Sequence, residues 1–239
     1  MRRLALGLCT SALLVLPLCG QVMQEAILHG GNSANVPAWI QSCTNEPDSG
    51  SSITSISCTF GSAIGAGHFL HMCVGVYLGP VTVTWSGDSA TFTNYVANYP
   101  GTQALTCAWA APTGGGATTI TATFASSVYV NIWGDEFSGV ATSSALDTSS
   151  FMATGTSSTA TSNSITPAAN QELLIAVVVI PIFTSVTPGG SFATGDGTSG
   201  MLVGVTSYYV QSTAASISAS FTFGTSTQWW VGIAAFKHG

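Results

Sequence analysis

The sequence predicts an all-β fold, an antiparallel β-sandwich cross-linked by disulfides. Three observations predict it. Runs in which apolar and hydroxyl-bearing residues alternate recur along most of the chain, and this is the period of a strand with one buried face. Clusters of Gly, Pro, Asp and Ser punctuate those runs at turn positions. After residue 37, no stretch of useful length carries the apolar repeat of an amphipathic helix. Many short strands separated by such turns fit a sandwich.

The elements follow in order. Strands are expected over 53–60, 69–78, 81–85, 90–97, 103–109, 118–124, 128–137, 172–182, 201–211, 214–223 and 229–236. Breakers separate them at Gly79-Pro80, Ser86-Gly87-Asp88, Pro100-Gly101, 112–116, 188–190 and 195–200. Within 118–124, Ile120, Ala122 and Phe124 alternate with Thr119, Thr121 and Thr123, so one face is buried and the other wet. The apolar run over 173–182 is continuous, as suits a strand covered on both sides. Residues 142–166, rich in Ser, Thr and Ala, read as a long loop or a loosely paired edge. Neither a linker nor a clean internal repeat is visible, so 21–239 reads as one domain, with 21–38 as an extended N-terminal arm.

Residues 1–20 have the form of a signal peptide. Arg2 and Arg3 precede an apolar run from Leu4 to Leu18, which is shorter than the roughly 20 residues a spanning helix needs. Cleavage is expected after Gly20, which makes the protein secreted or cell-surface, with no membrane span in the mature chain. Its removal leaves Lys237 as the only Lys or Arg. Such a surface cannot neutralise a run of phosphates, and nucleic acid is thereby excluded as a partner. Only 5% of the chain is charged, yet 46% is hydrophobic, so it folds and does not remain disordered.

Four cysteines remain beyond the signal: Cys43, Cys58, Cys73 and Cys107. An even number in an exported chain points to disulfides, and the pairing Cys43–Cys58 with Cys73–Cys107 is favoured among three possible ones. All four lie in the first half.

Several short motifs, taken together, carry a resemblance. They run from Ser57-Cys58-Thr59-Phe60 and Ala66-Gly67-His68-Phe69-Leu70 through Val81-Thr82-Val83-Thr84-Trp85 to Asn94-Tyr95. Asp135-Glu136-Phe137-Ser138-Gly139, Leu146-Asp147, Asn170-Gln171-Glu172-Leu173-Leu174 and the closing 230–237 strand complete the set. The chain resembles an uncharacterised β-sandwich module found in exported and surface proteins of environmental bacteria. The resemblance implies a jelly-roll-like sandwich in an extracellular setting and implies no activity.

Three groups of side chains are functional candidates. Asp135 and Glu136 are adjacent, so on a regular strand they point to opposite faces. Glycoside hydrolysis by Glu136 would need a distant second carboxyl such as Asp88, Asp147 or Glu172. Asp135, Glu136 and Asp147 are alternatively the oxygen donors of a Ca²⁺ site, Ca²⁺ being the one cofactor the sequence suggests. Trp229-Trp230 and Tyr208-Tyr209 are adjacent aromatic pairs on strands, which turns one ring of each away from the core and offers a platform for sugar rings. His68 and His71, expected within one strand, face opposite sides and form no metal pair.

The reading that follows is an exported non-catalytic sandwich acting by surface contact, as an adhesive, matrix or filament subunit, with self-association or surface glycans as its partners. Carbohydrate binding through exposed Trp and Tyr, and a jelly-roll hydrolase using Glu136, are the alternatives.

Overall fold

The structure, a computed structural model, describes residues 36–47, 52–77, 81–96, 103–198 and 203–239. The signal-peptide reading at 1–20 and nearly all of the 21–38 arm lie outside the described residues. No helix among the described residues is long and apolar enough to cross a membrane.

All thirteen elements are strands: β1 (Ala38–Asn45), β2 (Ile53–Thr59), β3 (Phe69–Tyr77), β4 (Val83–Ser86), β5 (Thr93–Val96), β6 (Gln103–Ala110), β7 (Thr119–Ser138), β8 (Leu146–Thr161), β9 (Glu172–Ile180), β10 (Val186–Pro188), β11 (Ala193–Gly197), β12 (Val203–Gln211) and β13 (Ser220–Phe236). They form two antiparallel sheets packed face to face. The first has the order β1-β7-β3-β6-β5, with β2 and β4 also on β7. The second has the order β13-β9-β12-β11, with β8 and β10 both on β13.

Two long strands organise these sheets. Residues 119–128 of β7 pair with β2 and β4, whereas 129–138 pair with β1 and β3. Ile120, Ala122 and Phe124 from the first stretch pack with Ile56 and Cys58 onto Leu70, Met72, Val74 and Val76, the outward side chains of β3. The sheet has therefore folded over its own outer face. β13 does the same. Its 221–223 stretch pairs with β10, and Phe221 and Phe223 lie on Leu174, Ala176, Val178 and Ile180 of β9. Between the two sheets lies the central core of Phe69, Trp133, Phe137, Leu173, Ile175, Val177 and Phe236. The result is four β layers.

The second sheet repeats the first strand by strand, a likeness of topology that the sequence does not show as a residue repeat. β9, β10, β11, β12 and β13 stand where β3, β4, β5, β6 and β7 do, and β8 spans the places of both β1 and β2. Registers repeat as well: Val83 faces Phe124 as Val186 faces Phe223, and Phe69 faces Phe137 as Leu173 faces Phe236. Even the bulge recurs, opposite Phe137 and Glu136 on β1 and opposite Phe236 and Ala235 on β8. The halves meet reciprocally, Trp109 of the first against Phe236 of the second (6.2 Å) and Tyr208 of the second against Phe137 of the first (5.3 Å). Reciprocal contacts of this kind are those of a two-fold arrangement.

Most of the expected strands are present in part or whole. The runs at 118–124 and 128–137 are one strand, β7, and β13 joins 229–236 to 220–223, the rest of the run expected at 214–223 lying before it. Of residues 142–166, read as a loop or a loosely paired edge, 146–161 form β8, which follows β13 as an edge. β1 begins at Ala38, the last residue of the expected arm. β10 meets the breaker 188–190 at Pro188, and β11 runs into the breaker 195–200 over 195–197.

Both expected disulfides are present. Cys43–Cys58 ties β1 to β2, and so fastens the folded-over layer to the main sheet. Cys73–Cys107 joins directly paired residues of β3 and β6 inside the central core. The second half has neither and relies on burial.

Candidate functional site

Asp135 and Glu136 stand next to each other on β7 and point to opposite faces, as strand geometry requires. Both are buried, at 0% and 1% exposure. β1 supplies a donor to each. The Trp39 indole N–H donates to Asp135 Oδ1 (3.0 Å), and the Gln41 amide donates to Glu136 Oε2 (2.5 Å). Residues 39 and 41 of a regular strand share a face, and the bulge between them is what sends their side chains to opposite ones.

On the inner face, Asp135 Oδ1 also accepts the Asp196 N–H (3.2 Å), while Oδ2 is buried without a partner. A Cβ on Gly195 would lie 3.0 Å from both carboxylate oxygens, a close approach that would require the Asp135 carboxyl to shift. Burial pushes the Asp135 carboxyl up to about 7; the Trp39 and Asp196 hydrogen bonds oppose the shift and the Asp196 charge adds to it. Burial likewise raises Asp196 and Tyr208. Trp39 stacks parallel on Tyr208 (6.4 Å, 3°) and is 40% exposed.

On the other face, Glu136 Oε1 meets His68 Nδ1 (2.6 Å) and the Gly65 N–H (2.8 Å). Gln41 Oε1 in turn accepts both the N–H and the hydroxyl of Ser62 (3.0 Å each). Glu136 thus clamps the 61–68 connection to β1 and β7. His68 falls just before β3, not within it, and is half-buried. His71 lies in the central core with Nε2 2.6 Å from the Tyr95 hydroxyl, and burial lowers it to about 3.

The suggested partners of Glu136 are committed elsewhere. Asp88 accepts the N–H groups of Ala90, Gly114 and Gly115. Asp147 accepts that of Ala168, and Glu172 that of Ala169. Glu172 is raised by burial and by the neighbouring Asp147 carboxyl.

The Ca²⁺ set does not converge. Asp135 and Glu136 diverge across β7, and Asp147 belongs to β8 of the other sheet. Among the described residues, the one group of three metal-type ligand atoms within 4.8 Å is His71, Cys73 and Cys107, and both of its sulfurs are spent in a disulfide.

The aromatic platform is also corrected. Trp230 is buried at 6% exposure, and Trp229 is half-buried with its N–H on Ser157 Oγ (3.0 Å). Tyr209 packs against Phe192 (5.8 Å). Outward-facing rings of the second sheet are covered because that sheet folds over itself, a feature that alternation within one strand does not reveal. Tyr208 alone of the four joins a site, beneath Trp39. Among the described residues the exposed large rings are Trp39 and Phe183, the latter 77% exposed, and neither was a candidate in the sequence.

The carboxylate arrangement is peculiar to the first half. By register, Ala234 and Ala235 stand where Asp135 and Glu136 do, and Leu146 and Thr148 where Trp39 and Gln41 do. The same bulge thus serves a polar site in one half and an apolar one in the other. Comparison of the chain with protein-family models, with curated proteins and with solved structures finds no match in any of the three.

Proposed function

We propose that the chain is an exported, non-catalytic β-sandwich that acts by surface contact, as an adhesive, matrix or filament subunit, with the edge of β8 away from β13, unpaired among the described residues, as its contact strand. The observation that carries this reading is β8 itself. It spans 16 residues, pairs with β13 on one side, and turns Thr154, Thr156, Ser158 and Thr159 outward. From Thr148 to Gln171 the sequence holds no charged residue, and β8 holds no proline. Edge strands that stay unpaired are normally short or guarded by Lys or Pro, because their open N–H and C=O groups template pairing with another chain. The buried carboxylates support the same reading, since each is an acceptor for the protein's own donors.

The test is light scattering of the wild type and of Thr154→Lys/Thr156→Lys, which puts two cations on the edge. Wild type is expected to gain mass with concentration and the variant to stay monomeric. A wild type that is monomeric throughout would remove β8 as the contact strand.

A further inference from the structure

We infer that the cavity rimmed by Phe183 is a binding site for a neutral sugar ring; the inference rests on the reading of the chain as a contact protein and names one ligand for it. The cavity measures about 530 Å³ and lies outside the second sheet, between the segment that follows β9, strand β11 and the start of β12. That volume is within the range of small-molecule sites, roughly 300–1,000 Å³. Its lining combines the apolar residues Phe183, Val203 and Val205 with the polar residues Thr184, Thr194 and Asp196.

Each of these features selects against other ligands. Phe183, at 77% exposure, is the most exposed large apolar side chain described, ahead of Trp39 at 40%. An aromatic face beside polar groups matches a pyranose, which has an apolar face and a rim of hydroxyls. Asp196 accepts the Gly197 N–H (2.7 Å) and a hydrogen bond from Ser42, and a carboxylate with about four acceptor positions retains capacity for a sugar hydroxyl. No cation is at hand for a phosphate, sulfate or uronate, because beyond the signal region Lys237 is the only Lys or Arg and it does not line the cavity. A lipid chain would meet a lining in which Thr184, Ser185, Thr194, Asp196 and Thr198 are polar.

β11 and β5 are counterparts, and each breaks register after its second residue. Beyond that point β5 has Tyr95 and Val96, which pack into the central core, whereas β11 has Gly195, Asp196 and Gly197, all three of which line the cavity.

Titration calorimetry of the full secreted chain with cellohexaose, laminarihexaose, xylohexaose, mannohexaose and chitohexaose tests the inference, with hexagalacturonate as the anionic control. At least one neutral oligosaccharide is expected to bind, with Phe183→Ala weakening it at least tenfold, about 1.4 kcal/mol. Phe183→Trp should retain binding. Because the ring is solvent-exposed, both variants should keep the wild-type Tm. No binding by any neutral probe, undiminished binding by Phe183→Ala, or preference for hexagalacturonate would overturn the site. Loss of the site with β8-dependent assembly intact leaves the contact reading standing. Shortened oligosaccharide after incubation would instead overturn the non-catalytic reading while upholding the site.

Discussion

Asp135 and Glu136 have the same neighbours in sequence and opposite fates in space. Glu136 holds three partners on its two oxygens, and replacing it with Gln sets an amide N–H against the groups from Gln41, His68 and Gly65. The expected cost is about 1–3 kcal/mol, which for a domain of this size is a Tm loss of roughly 2–12 °C by thermal melting. Asp135 behaves differently because its folded value, about 7, lies above the ordinary 3.8. Its burial therefore opposes folding increasingly as pH rises from about 3.8 to about 7, and fully above that. His71, lowered from 6.5 to about 3, has the opposite sense, and its contribution is lost as pH falls through that window. Asp135→Asn removes the first slope and leaves the second, so the Tm of the variant relative to wild type should be higher at pH 8 than at pH 5. An equal difference at both pH values would contradict the assignment. The divergence of these two carboxyls was legible in the sequence, since adjacent strand residues must face apart. Their partners were not, because Trp39 and Gln41 reach them through a bulge that interrupts alternation at Ile40.

At the scale of elements, the same interruption hid β1 altogether, since Trp39-Ile40 followed by Gln41 does not alternate. β8 was obscured for a different reason: its Ser, Thr and Ala give weak contrast between faces, although its edge character was anticipated. The long strands were half-read, because hydroxyl-rich stretches at 125–127 and 224–226 look like turns when the strand is in fact crossing from one layer to another. Cysteine spacing did better, as it anticipated both bridges. Cys43–Cys58 encloses a 15-residue separation and fastens the folded-over layer. Its removal as Cys43→Ala/Cys58→Ala should cost about 3 kcal/mol by loop-closure entropy, or roughly 6–12 °C in Tm. Retention of the wild-type melting temperature would show that the outer layer is held by its apolar contacts alone.

Residues 36–239, so far as they are described, are one strand arrangement used twice, face to face, and the two halves have been put to different uses. The first carries the disulfides and the buried carboxylates; the second carries the cavity and the long uncharged edge. No residue pattern announces the repeat, because what recurs is register and burial, with Ile120, Ala122 and Phe124 matched by Ala219, Phe221 and Phe223. A covered outer face on each sheet also explains why so few rings are exposed, and leaves the edges as the places where backbone is open to a partner. The most direct measurement of that claim is the mass and appearance of the purified protein across a wide concentration range, by light scattering and electron microscopy. Concentration-dependent assemblies that Thr154→Lys/Thr156→Lys returns to monomer are the predicted result. A monomer at every concentration, identical in wild type and variant, would contradict it.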